Sequence, residues 1–191
     1  NLAEKTAAVR EASEYEAAEL SRNAIQFAIN YREILGKDRD LSALAVAGVL
    51  SLPSAYVKSL SAEEKTAVSS DFYKLYTLFS DETLKIAVLN RLSLLQLPGA
   101  EFASLLNKYV QGSDFHSASQ AMNTAVFSTL GVIGGKESFP ILFDCLERQE
   151  YASYNTEIKN AVIQLMEKSE AEVIAFIQNG TPQQCRNLFD L

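Results

Sequence analysis

Between Ser128 and Leu146 the chain reads STLGVIGGKESFPILFDCL. Gly131, Gly134 and Gly135, then Lys136, an acid and a serine, are the residue types of a loop that wraps phosphate. A P-loop needs Gly, four residues, then Gly-Lys-Ser/Thr between a strand and a helix. Backbone N–H groups then cradle the phosphates while the hydroxyl holds magnesium. Here only three residues separate Gly131 from Gly135, and Glu137 takes the place of the hydroxyl. A carboxylate there repels a phosphate, and the apolar spacing upstream is that of a helix. The stretch therefore reads as a turn between helices. Gly131 is expected to adopt the positive φ that ends the first helix, with Gly134 and Gly135 permitting close backbone approach. Ser138 is expected to cap the next helix, with Pro140 in its first turn and Lys136 solvated.

Other reactive side chains are few. His116 is the single histidine, in the stretch GSDFHSAS; with Asp114 it makes at most a weak metal pair, and a surface imidazole is the simpler expectation. Cys145 and Cys185 lie far apart, in no zinc or redox spacing, and read as free thiols. A cysteine or serine nucleophile would need a base, and His116 is the only imidazole to supply one. The acids Glu63, Glu64, Glu170 and Glu172 fall at helix starts, where they complement the helix dipole. No residue is assigned as catalytic, cofactor-binding or metal-binding, and the chain is expected not to be an enzyme.

Bulk properties narrow the partners. The 191 residues are 48% hydrophobic, ample for a core, and carry a formal net charge of -7. A nucleic-acid binder usually presents a basic stripe, because phosphate neutralisation supplies much of its affinity. None occurs here, so no nucleic acid is expected, and no apolar run reaches membrane-spanning length. The chain begins at Asn1 rather than Met, so cytoplasmic and exported locations both stay open. Asn179-Gly-Thr181 has the form of a glycosylation sequon but reads equally as a turn.

The elements that must position these residues are helices. Apolar residues recur at intervals of three and four, and almost nowhere alternate with polar ones. Leu20, Ala24, Phe27, Tyr31 and Ile34 form one stripe, ended by Gly36; Leu41, Leu44, Ala45 and Val49 form the next, stopping before Pro53. Val68, Phe72, Leu75 and Phe79 follow a capping-box pattern from Ser61 to Glu64. Leu84, Val88, Leu92 and Leu95 face inward from a helix starting at Asp81. Phe102, Leu105, Leu106 and Tyr109 make a stripe ending near Gly112, and Met122, Ala125, Val126 and Leu130 run into the glycine turn. Phe139, Leu142, Phe143 and Leu146 follow it, then Ile158, Val162 and Leu165, then Val173, Phe176 and Ile177. Thr181-Pro182 opens a last helix with Cys185, Leu188 and Phe189. The expectation is all-α, about ten helices in antiparallel pairs.

Four of these segments repeat. DRDLSALAVAGVLSLP from Asp38, DETLKIAVLNRLSLLQLP from Asp81, SASQAMNTAVFSTLGVIG from Ser117 and NTEIKNAVIQLMEKS from Asn155 share a polar start and an Ala-Val core. Their starts lie 43, 36 and 38 residues apart, the spacing of helical-pair solenoids. The segment AVFSTLGVIGGKESFPILFDCL resembles the HEAT repeat, in the short bacterial form first noted in phycobilisome lyases. Ala125, Leu130, Gly131, Ile133, Gly134, Pro140 and Leu142 fall on its pattern, whereas Lys136-Glu137 replaces its usual Asp-Pro. The resemblance extends moderately over 81–110. It implies a right-handed HEAT/armadillo-like α-solenoid with a curved docking surface, an array over 37–191 and an N-terminal helical region, a possible cap, over 1–36.

That fold includes a few enzymes. A di-iron hydroxylase of the kind needs several His-Glu pairs, and a base-excision glycosylase needs a basic face and tryptophan, which this chain lacks. The function expected is therefore a non-enzymatic protein–protein interaction scaffold. The alternatives are a lyase-type enzyme or subunit, or a spacer or cap within a larger repeat protein. Candidate partner-binding residues are Tyr151 and Tyr154, in the polar connection LERQEYASYNTEIK, and Tyr73, opposite Phe72, Leu75 and Phe79. Tyrosine suits a binding hot spot, but it also covers the tops of helical hairpins, and for Tyr151 and Tyr154 structural packing is the favoured reading. Arg32, Lys37 and Arg39 form a basic cluster that could meet an acidic partner.

Overall fold

The computed structural model describes residues 2–35, 39–168 and 170–189, and every regular element among them is helical. The chain forms two compact units, Asn1–Pro98 and Gly99–Leu191.

The first unit holds α1 (Leu2–Leu35), α2 (Arg39–Ser51), α3 (Ser54–Ser59), α4 (Ala62–Leu78) and α5 (Glu82–Leu94). Local chemistry sets their ends. Proline disfavours helical backbone in the residue before it, so α2 stops short of Pro53. The capping box forms at α4: Ser61 Oγ accepts from the Glu64 N–H at 3.2 Å, and the Glu64 carboxylate accepts from the Ser61 N–H at 2.8 Å. Accepting these bonds holds the Glu64 carboxyl below its ordinary pKa. Asp81 caps α5 by accepting from the Leu84 N–H at 3.0 Å. α1 lies along α2 and also against α4, while α5 packs on both α2 and α4. Between them Leu41, Ala45, Val49, Phe72, Leu75, Leu84, Val88 and Leu92 form the core. The Arg91 guanidinium, its pKa lowered by burial, donates to the Leu52 carbonyl just past the end of α2.

The second unit holds α6 (Ala100–Gln111), α7 (Asp114–Ser117), α8 (Gln120–Ile133), α9 (Ser138–Glu147), a 3-10 turn (Gln149–Tyr154), α10 (Asn155–Lys168), α11 (Glu170–Asn179) and α12 (Pro182–Phe189). α8 packs along α10 and against α6; α9 packs on α10 and α6, with α12 beside α9. The equivalent repeat segments therefore lie side by side within each unit, α2 with α5 and α8 with α10. The sequence implies a hairpin of α8 and α9 closed by the glycine turn. Instead, α9 packs mainly on α10 and also on α6.

Gly131 departs from expectation too. It lies inside α8, which continues to Ile133, and its φ is not positive. A Cβ there would sit 2.8 Å from the Ala161 Cα of α10, so the absent side chain is what lets the two helices approach. Ser138 is the first residue of α9 rather than its cap; Glu137 holds the cap position and makes no side-chain capping bond. Lys168 supplies the end of α8 instead, donating to the Gly131 carbonyl at 3.0 Å and to that of Val132.

Candidate docking surface

The long helix α1 presents two apolar stripes, and the one that faces the core is the smaller. Ala18, Ser21, Ile25 and Ala28 are buried. At 100° per residue these positions share one side of the helix. Three of the four are small, and the larger Ile25 packs over Gly48: a Cβ on Gly48 would lie 3.0 Å from the Ser21 carbonyl, 3.1 Å from the Ile25 Cγ1 and 3.2 Å from the Ala24 Cβ. Ser21 keeps its hydroxyl satisfied at this contact, donating to the Ala17 carbonyl at 2.7 Å.

The large apolar residues of the stripe read from the sequence lie outside. Leu20 is 73% exposed, Phe27 45%, Tyr31 41% and Ile34 75%. With Ala24 they follow a four-three spacing that keeps them on one stripe, about 120° round the helix from the buried one. From Leu20 to Ile34 the stripe runs about 21 Å at 1.5 Å per residue. Phe27 and Tyr31 stack on each other with ring centroids 4.3 Å apart. Single exposed apolar residues are ordinary on protein surfaces, but a continuous row on one helix marks a contact surface.

The residues named from the sequence fall elsewhere. Tyr151 is 1% exposed and Tyr154 9%, so neither is the partly exposed aromatic that their polar surroundings suggest. The 3-10 turn folds both rings onto Phe115 and Phe127. Their hydroxyls find partners inside: Tyr151 donates to the Val110 carbonyl at 2.8 Å, and Tyr154 lies 3.0 Å from the Asn123 amide nitrogen. Asn123 also donates to the Phe115 carbonyl and accepts from the Tyr109 hydroxyl at 2.8 Å. Tyr73 is half-buried on α4. Arg32 sits over the ring of Phe79, 5.2 Å from its centroid, and Arg39 is exposed; Lys37 lies outside the described residues.

The groups considered for chemistry are also placed. His116 and Asp114 are exposed on the short helix α7, and no cluster of three metal-ligating side chains occurs among the described residues. Cys145 is buried, and desolvation, reinforced by the Asp144 charge, pushes its thiol up to about 12. At neutral pH it is a protonated core residue rather than a nucleophile. No helix among the described residues is long and apolar enough to cross a membrane. Compared with family models, curated proteins and solved structures, the chain matches none.

Proposed function

We propose that this chain is a non-enzymatic protein–protein interaction scaffold of HEAT-like helical pairs, and that it docks an amphipathic helix of a protein partner along the outer stripe of α1. The observation that carries the proposal is the row Leu20, Phe27, Tyr31 and Ile34, exposed on a helix whose other stripe, about 120° round, is fixed in the core. A narrow stripe about 21 Å long with four-three spacing matches the knob positions of one partner helix. The side-by-side packing of repeat segments, α2 with α5 and α8 with α10, supports the helical-pair architecture.

Photo-crosslinking tests this. With p-benzoylphenylalanine in place of Phe27, illumination in an extract of the native source should give a discrete protein adduct. The same probe in place of Thr66, exposed on α4, should not. An adduct pattern equal at both positions, or none at Phe27, overturns the proposal.

A further inference from the structure

Every exposed residue of α1 between Leu20 and Tyr31 is uncharged: Leu20, Asn23, Phe27, Asn30 and Tyr31. The neighbouring α2 exposes Ala43, Leu44 and Ala47, and the run 41–57 to which they belong holds no charged residue. Charge is unevenly spread to either side of this stretch. Residues 11–19 hold four glutamates and no base, whereas 32–40 hold three bases and three acids. A chain of net charge -7 repels its own copies, so self-association needs a neutral face that also keeps the acidic segment away from itself. The outer face of α1 meets both conditions, and its stripe is complementary to itself.

We propose that the helix docked on the outer stripe of α1 is the α1 of a second copy, running antiparallel, so that the chain forms a two-fold dimer. The inference rests on the docking reading above and names its partner. A two-fold axis puts the same patch on both sides of the contact. With Phe27 facing Ala24 of the second copy, Leu20 faces Tyr31 and Ile34 faces Ala17. Phe27 and Ile34 each lie over an alanine, the alternation of large and small that lets layers interdigitate. Asn23 falls opposite Asn30 at the edge of the seam, where two amides can exchange hydrogen bonds.

Other arrangements fit less well. Sliding the pair by one heptad in one direction sets Phe27 against Tyr31, two rings where the first register has a ring over a methyl. Sliding it the other way sets Tyr31 against Ser13 and Ile34 against Arg10, which brings a guanidinium into an apolar seam. Charge selects the orientation. The antiparallel pair lays 11–19 beside the charge-balanced 32–40, whereas a parallel pair lays four glutamates beside four.

Sedimentation of the whole chain from about 1 to about 500 µM tests the proposal. The mass should rise from 21.0 kDa to twice that value. A seam of one helix pair lies at the small end of interface sizes, so the Kd should be on the order of 10–100 µM. Phe27→Glu should raise it at least about tenfold with helical content unchanged, because Phe27 is exposed in the single chain. Disulfide formation reads the register in a Cys185→Ser background, where only the buried Cys145 remains. Chains carrying Leu20→Cys should crosslink to chains carrying Tyr31→Cys. They should not crosslink to one another, since the two copies of position 20 lie about 16 Å apart along the axis. A monomer at about 500 µM, undiminished dimerisation by a folded Phe27→Glu chain, or crosslinking of position 20 to itself overturns the proposal. A chain that stays monomeric while position 27 crosslinks to a different protein loses the second copy and keeps the docking surface; absence of any adduct at position 27 overturns both.

Discussion

Asn123→Ala removes the centre of the buried polar network that holds Tyr109 and Tyr154. Asn123 is 2% exposed and makes three hydrogen bonds, accepting from Tyr109 Oη at 2.8 Å and donating to the Phe115 carbonyl and to Tyr154 Oη at 3.0 Å each. At a net ~1 kcal/mol per bond the three account for about 3 kcal/mol. The Phe115 carbonyl loses its side-chain donor in the variant, which keeps the total from falling below that figure. Tyr154→Phe removes one of the three bonds and should cost about 1 kcal/mol. The double variant should then cost about 1 kcal/mol less than the sum of the singles, because the shared bond is counted twice in the sum. Urea unfolding followed by far-ultraviolet circular dichroism reads each value as a shift in midpoint at constant slope. If Asn123→Ala costs less than about 0.5 kcal/mol, or the two substitutions add, the tyrosines are not held by this network and their burial needs another cause.

Further outcomes follow from the close helix contacts and from burial. Gly131→Ala forces a Cβ to within 2.8 Å of the Ala161 Cα and should destabilise the chain by about 1–2 kcal/mol in the same urea experiment, overpacking outweighing the better helix propensity of alanine. Gly135→Ala, with open space around it, should be neutral or stabilising. Cys145, its thiol raised to about 12 in the folded chain, stays protonated while the unfolded chain ionises near its usual ~8.5. The contribution of the buried thiol is complete below the unfolded pKa and falls as pH rises towards the folded one. Between pH 7 and pH 10 the wild type should therefore lose about 2 kcal/mol relative to Cys145→Ala. A parallel pH dependence of the two chains would show that Cys145 ionises in place.

The sequence is most informative where burial selects large side chains. The stripes Val68–Phe72–Leu75–Phe79 and Leu84–Val88–Leu92–Leu95 are buried as their spacing implies, and the Ser61–Glu64 capping box forms. It misleads where two helices meet closely. At the close contact with Gly48, α1 buries Ala18, Ser21 and Ala28 beside Ile25, and the stripe of Leu20, Phe27 and Ile34 goes out. Gly131 is the same case seen from α8: a residue suited to a turn serves helix packing instead. Tyr151 and Tyr154 look exposed because their neighbours in sequence are polar. What buries them lies far along the chain, at Val110, Phe115, Asn123 and Phe127. The short helices α3 and α7 carry too few turns to show a period, so Phe115, the ring at the centre of the cluster, left no signal in the apolar spacing.

The central claim, that the outer stripe of α1 is the docking surface, meets its most direct test in affinity for the protein crosslinked from position 27. Leu20, Phe27 and Ile34 together replaced by serine should leave the helical content intact, because none of them contributes to the buried stripe of α1. Losing ~1 kcal/mol of apolar burial at each should weaken binding by about a hundredfold, measured by titration calorimetry. An affinity within about threefold of wild type would mean that the partner binds elsewhere and that the claim is wrong.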